Sequence, residues 1–226
     1  TCVTRIISLT HALRTTAGSH ERFLCIEVFG RYTGFTALLP TMAGAASRCL
    51  IPEYRFNMER LCELLTEDRA ENPSLYSVVL VSEGAMTEGG EMVYAEDEKD
   101  MYGHRKLGGV GDYISNQLKE LSPKFNQGRR INVINQKLSY LVRCGDPDAV
   151  DSIVPMAFGN LALDLIMENK SGRMVCLRNG EYDDVPIEIV TSKKKVVDVD
   201  KYYDRERLRP LYKSFHQKPL FIMTSD

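Results

Sequence analysis

Three stretches of the chain set a glycine beside a charged side chain just after an apolar run. Phe29-Gly30-Arg31 follows residues 22–28, Ser82-Glu83-Gly84 follows residues 76–81, and Tyr140-Leu141-Val142-Arg143-Cys144-Gly145 comes shortly after residues 130–134. Glycine lets a ligand approach the backbone closely. Arginine offers a planar fork of donors that matches phosphate. A carboxylate such as Glu83 accepts hydrogen bonds from hydroxyls. Arg22, in Ser19-His20-Glu21-Arg22, adds a cation ahead of the first apolar run. The set suits a phosphorylated, hydroxyl-rich small molecule. Plainer readings stand beside this one. A lone arginine after a strand is often solvated or structural, and Glu83 alone could cap a neighbouring element. Gly108-Gly109-Val110-Gly111 resembles a phosphate-cradling loop but lacks the Lys-Ser/Thr ending and the dinucleotide spacing. Lys193-Lys194-Lys195 reads as a solvated turn. His20 and His216 have no nearby nucleophile, which leaves a Ser/Cys-His pair without support.

The elements that must position these groups alternate. Apolar periodicity predicts a helix over 1–16 ended by Gly18, and another over 33–46 despite Pro40. Asn57 can cap a helix running to about Ala70. A helix over 112–121 should stop at Pro123, and Asp146-Pro147 reads as the start of one running to about Glu168. Asp204 can cap a last helix. Short apolar runs at 22–28, 49–51, 76–81, 130–134, 173–177 and 185–190 read as strands, with 84–110 a long loop and 219–226 extended. The run at 76–81 is nearly all apolar, as in a strand covered on both faces. Such alternation implies an α/β fold, a parallel or mixed sheet with helices on both faces and ligands at the carboxyl ends of the strands. No repeat, low-complexity segment or clear linker divides residues 1–226, which read as one domain.

Composition narrows the function classes. The chain has 226 residues, 43% hydrophobic and 27% charged, with a formal net charge of −2. These values exclude a disordered tail and argue against a duplex-DNA binder, so no nucleic-acid partner is expected. No uninterrupted apolar run reaches the ~18–20 residues of a membrane span, and no membrane association is expected. The six cysteines show no CxxC spacing and the four histidines are scattered, so no metal site is expected in this chain. Cysteines without a pairing pattern suit a reducing, cytoplasmic setting. The opening Thr1-Cys2-Val3-Thr4 carries no initiator Met and no basic-then-apolar leader; the expectation is a chain that begins partway through a larger protein.

Taken together, Ser19-His20-Glu21-Arg22, Glu27-Val28-Phe29-Gly30-Arg31-Tyr32-Thr33-Gly34, Val81-Ser82-Glu83-Gly84 and the Tyr140-to-Pro147 segment resemble the carboxy-terminal portion of the 6-phosphofructokinase family. The stretches 191–197 and 209–212 and the end of the chain resemble the branch that includes pyrophosphate-using and mixed-donor members. The resemblance implies an α/β, three-layer phosphofructokinase-like fold with the amino-terminal half missing, and a cytoplasmic, glycolytic, allosteric homodimer or homotetramer. It implies phosphoryl transfer from ATP, alternatively from pyrophosphate, to the 1-hydroxyl of D-fructose 6-phosphate, with Mg2+ held in the missing half. A reading of another class is a non-catalytic partner subunit that keeps only sugar-phosphate binding.

The same resemblance implies residue roles. Phe29, Gly30 and Arg31 line the sugar site, with Arg31 facing the transferred phosphoryl group as the catalytic residue of this portion. Glu83 binds sugar hydroxyls. Tyr140 and Arg143 form a Tyr-x-x-Arg phosphate segment. Arg22 reaches the sugar phosphate of a neighbouring subunit, and Arg143 is expected to serve across the boundary as well. Three departures stand out: Phe29 replaces the usual Met, Cys144 replaces a usual Gly, and Ser152 stands where some members carry a further arginine. The family's Gly-Gly-Asp donor loop and the Thr-Ile-Asp-Asn-Asp segment with its catalytic base are absent from these residues, so this chain alone is expected to be inactive.

Overall fold

The computed structural model describes residues 1–92, 94–99, 105–107, 109–192, 194–213 and 215–218, with backbone only at 94–99 and 105–107. Gly108, Lys193 and the predicted extended end at 219–226 lie outside the described residues. The chain divides into two compact units, one made of Cys2–Arg143 and Val196–Tyr212, the other of Thr1, Cys144–Lys195 and the described residues after Tyr212. The sequence holds no Gly/Pro-rich linker at these boundaries, which is why it read as undivided.

The larger unit is a three-layer α/β structure. In chain order it holds α1 (Cys2–Gly18), β1 (Phe23–Val28), α2 (Phe35–Met42), β2 (Arg48–Leu50), α3 (Met58–Glu71), β3 (Ser77–Ser82), β4 (Tyr94–Lys99), β5 (Arg105–Leu107), α4 (Val110–Phe125), β6 (Val133–Lys137) and a 3-10 turn (Ser139–Val142). Four strands form one parallel sheet in the order β2-β3-β1-β6. Every residue of β1, β2 and β3 is buried, as parallel strands covered on both faces must be. On one face α1 packs with α2, on the other α3 packs with α4. The core is Phe23, Leu24, Ile26, Leu38, Leu50, Leu61, Leu65, Val79, Leu80, Ile114 and their neighbours. Asn57 caps α3 as predicted, accepting from the Arg60 N–H at 3.1 Å.

Several boundaries moved for identifiable reasons. Gly44, at φ 81°, closes α2 early. The predicted loop over 84–110 contains an antiparallel β4–β5 ribbon; Tyr-Ala-Glu-Asp-Glu-Lys carries no apolar alternation to announce a strand. Helix α4 begins earlier than expected and runs past Pro123. Proline leaves the Lys119 carbonyl without its helical donor, and the Ser122 hydroxyl donates to it instead at 3.2 Å. Strand β6 is displaced toward Lys137.

The tail completes this unit with α7 (Val199–Tyr202), β9 (Tyr203–Asp204) and β10 (Arg209–Pro210), after the short α6 (Ile189–Ser192) of the other unit. Asp198, not Asp204, caps the helix, accepting from Lys201 N–H; Asp204 instead accepts from the N–H groups of Glu206 and Arg207 in a turn. The tail is pinned by the Cys49 N–H to the Leu208 carbonyl at 2.9 Å and the Tyr203 hydroxyl to the Cys49 carbonyl at 2.6 Å. Arg48, nearly buried, forms a two-point pair with Asp68 and donates to the Arg207 carbonyl.

The smaller unit holds α5 (Ala149–Met167) and the antiparallel hairpin of β7 (Arg173–Arg178) and β8 (Glu181–Pro186). The cap of α5 is Asp148 rather than Asp146, accepting from the Asp151 N–H at 3.1 Å. Ser152 spends its hydroxyl on the Asp148 carbonyl at 2.8 Å. The predicted strand over 185–190 ends at Pro186 and turns into α6. Helix α5 is long and apolar enough on average to cross a membrane, with mean hydropathy 1.4; Asp151, Asn160 and Asp164 break up the run and hid this in the sequence.

Candidate functional site

Strands β1 and β3 are in register to their last residues, Val28 opposite Ser82. Main-chain pairing continues past them: the Glu83 N–H donates to the Val28 carbonyl at 2.9 Å and the Gly84 N–H to the Gly30 carbonyl at 3.0 Å. On the other side of β1, the Leu138 N–H donates to the Glu27 carbonyl at 3.0 Å. Three chain segments therefore leave adjacent strands at the same, carboxyl end. They carry Phe29-Gly30-Arg31, Glu83-Gly84 and the turn from Tyr140 to Arg143.

Two glycines make this approach possible. Gly30 has φ 142°, and a Cβ there would sit 2.7 Å from the Thr33 carbonyl oxygen. A Cβ on Gly84 would lie 2.0 Å from the Arg31 carbonyl oxygen, so the loops after β1 and β3 touch backbone to backbone.

The side chains converge. The Arg143 guanidinium lies over the Phe29 ring, 4.5 Å from its centroid, and Tyr140 meets the same ring edge-on at 6.4 Å. Burial raises the Glu83 carboxyl above the usual range; Arg31, a Gly30 backbone hydrogen bond and Arg143 pull it back, while Glu27 pushes it further up. Phe29, Gly30, Arg31, Glu83, Tyr140 and Arg143 thus form one cluster. Arg143 stacks on a ring of its own chain. The Arg143 N–H donates to the Tyr140 carbonyl at 2.9 Å, which fixes the backbone of this turn.

Arg22 stands apart. It precedes the six-residue β1, and at roughly 3.3 Å per residue it sits roughly 20 Å from Val28, at the amino end of the sheet. Its Nε is buried without a hydrogen-bond partner among the described residues. An open hollow of about 500 Å³ lined by Arg14, Ser19, Glu21, Ser74 and Tyr76 also lies at that end, away from the cluster.

Cys144 does not adopt a positive φ; the left-handed residue is Gly145, at φ 79°. The replacement of glycine by cysteine therefore introduces no backbone strain. The phosphate-loop reading of Gly109-Val110-Gly111 is also answered. The Gly111 N–H at the start of α4 donates to the buried Glu27 carboxylate at 2.8 Å, so an internal anion already occupies that helix end. Sequence reasoning gave Glu27 no role, although a carboxylate within the buried strand Phe-Leu-Cys-Ile-Glu-Val must find a donor. Around it, Asp112 pairs with Lys137 at 2.6 Å, and the hydrogen bond from Lys137 holds the Asp112 carboxyl below the usual range.

Residues 1–166 match the family described as Phosphofructokinase. A pyrophosphate--fructose 6-phosphate 1-phosphotransferase of Streptomyces coelicolor is 38% identical over 82% of this chain and 52% of its own length. An ATP-dependent 6-phosphofructokinase 3 of the same organism is 31% identical over 91% of this chain and 58% of its own length. The chain spans about half the length of the curated relatives it matches. Among solved structures, a pyrophosphate-dependent phosphofructokinase from Nitrosospira multiformis aligns with TM-score 0.71 over 93% of this chain and 50% of that one, at 15% identity, a likeness of fold. With the match running from residue 1 to residue 166 of 226, and a parallel sheet of the same fold, the chain belongs to the phosphofructokinase family.

Proposed function

We propose that this chain supplies the acceptor side of a 6-phosphofructokinase. It holds D-fructose 6-phosphate while a phosphoryl group passes from ATP to the 1-hydroxyl, giving fructose 1,6-bisphosphate in glycolysis. The observation that carries the reading is the convergence of Arg31, Glu83 and Arg143 from three adjacent strands. Arg143 takes the sugar's 6-phosphate through its donor fork. Glu83, kept ionisable by Arg31 despite burial, accepts from sugar hydroxyls. Arg31 offsets the charge that shifts onto the transferred group, since such transfers depend on positioning and charge neutralisation. Gly30 and Phe29 form the wall beneath, and Tyr140 closes its edge.

Pyrophosphate as donor is the second reading, favoured by relatives of 34–38% identity that carry pyrophosphate in their names. The resemblance also implies Mg2+. Among the described residues no group of three or more His, Cys, Asp or Glu could hold a metal ion, and Glu27 is taken by Gly111. These side chains do not make a Mg2+ site, and none of the roles above uses one. We place the enzyme in the cytoplasm, where all six thiols stay reduced, as a homodimer or homotetramer in which Arg22 serves the site of another copy.

Calorimetric titration of the chain with fructose 6-phosphate, beside coupled assays with ATP and with pyrophosphate, tests this. The expected result is saturable binding, lost in Arg31→Ala and Glu83→Ala, and no turnover with either donor. Absence of sugar-phosphate binding overturns the acceptor role. Turnover well above background overturns the assignment of base and donor loop to another part of the enzyme.

A further inference from the structure

We propose that Phe29 is a positioning residue: its ring is the platform that holds the Arg143 guanidinium ready for the 6-phosphate. The inference rests on the acceptor reading above. Arg143 follows an exposed 3-10 turn whose backbone is well fixed, by Leu138 to Glu27, by Arg143 to Tyr140, and by Val142, which is only 1% exposed. Its side chain is long, exposed and rich in rotamers, so a fixed backbone does not fix the guanidinium.

A carboxylate partner would hold that group but would consume donors on the rim of the fork. An aromatic ring takes the flat face instead and leaves the rim N–H groups directed outward. The 4.5 Å spacing between the Arg143 Cζ and the Phe29 centroid is of this kind. The platform is itself held. Phe29 lies between buried Val28 and Gly30, its carbonyl accepts from the Thr36 hydroxyl, and the Tyr140 ring meets it at an interplanar angle of 69°. The methionine that the family resemblance leads one to expect at this position has no such face.

The test is a double-mutant cycle on the intact chain with fructose 6-phosphate as the probe, read by calorimetry, together with NMR of the Arg143 side chain. Phe29→Leu should weaken binding about three- to fivefold, the range of an exposed cation–π contact. Phe29→Tyr, which keeps the ring, should stay within about twofold of the parent. In an Arg143→Ala background, the further loss from Phe29→Leu should be clearly smaller than in the parent, only what its place in the sugar wall contributes. Phe29→Met should behave like Phe29→Leu and serves in its place if that variant does not fold. The Arg143 δ and Nε protons should be ring-current shifted in the parent and in Phe29→Tyr, and unshifted in Phe29→Leu. Equal losses from Phe29→Leu with and without Arg143 would show that Phe29 acts on the sugar directly and overturn the proposal, as would unshifted Arg143 resonances in the parent. The resonance measurement needs no ligand. It therefore decides the platform separately from an absence of fructose 6-phosphate binding, which overturns the acceptor reading.

Discussion

Glu83 is under opposing demands, and they make its stability cost measurable. In the proposed acceptor role it accepts best from hydroxyls when ionised, yet burial raises its carboxyl pKa in the folded chain. The native state therefore holds that proton more tightly than the unfolded chain does. The stabilisation is full below the unfolded carboxyl's range and is lost as pH rises through the folded value. Glu83→Gln should accordingly raise the melting temperature at pH 7, on the order of 2 °C, and give no gain at acid pH where the carboxyl is already neutral. Calorimetry at both pH values checks this, and a lower melting temperature at pH 7 would contradict it. Arg31 makes the complementary prediction in a complete enzyme containing this chain. Removing a preorganised donor at the reacting group typically costs ~10²–10³ in rate, so Arg31→Ala should lower kcat by that order with a smaller change in KM for fructose 6-phosphate. An unchanged kcat with a raised KM would make Arg31 a ground-state binder.

At the scale of elements, what the sequence revealed depended on whether burial was written into local pattern. The strands at 23–28 and 77–82 were plain because both faces are covered and the residues are nearly all apolar. The β4–β5 ribbon, the passage of α4 over Pro123 and the capping of α5 by Asp148 were not plain. Each is decided by a backbone ladder, a neighbouring hydroxyl or a choice between two aspartates two residues apart. The site followed the same rule: Arg31 and Glu83 stand next to glycines at strand ends and Arg143 two residues before one, whereas Glu27's donor, Gly111, lies 84 residues away in the chain. The closeness of the loops gives a test. Gly84→Ala would drive a Cβ into the Arg31 carbonyl, so it should cost about 1–3 kcal/mol, as overpacking does, and displace Arg31. Gly159→Ala, in α5 with no atom within 4 Å of the added Cβ, should instead stabilise by about 0.5–1 kcal/mol. Denaturant unfolding of both variants, with sugar-phosphate titration of the first, would reveal an error if Gly84→Ala left stability and binding untouched.

For the molecule as a whole, the two units differ in how much they bury. The larger has a continuous core, while in α5 only Leu165 is buried, and Ile153, Met156, Leu163 and Met167 are exposed. A helix apolar on most sides is typical of an interior, consistent with relatives nearly twice this length. Arg22 poses the other whole-molecule question. It lies at the opposite end of β1 from Gly30 and Arg31, beyond the roughly 20 Å length of that strand, too far for one sugar phosphate to touch both within a chain. If Arg22 binds the 6-phosphate, it binds the one held by another copy. In the complete enzyme, Arg22→Ala and Glu83→Ala should each abolish most activity, and mixing them should restore some. A mixed dimer pairs intact Glu83 from one copy with intact Arg22 from the other, so random exchange into two-fold dimers should recover about a quarter of the parent's sites. Mixing Arg143→Ala with Glu83→Ala should recover nothing, because those side chains share one chain's cluster. Recovery in neither mixture, with exchange confirmed by mass, would remove Arg22 from the site. Recovery in the second mixture would return Arg143 to the subunit boundary.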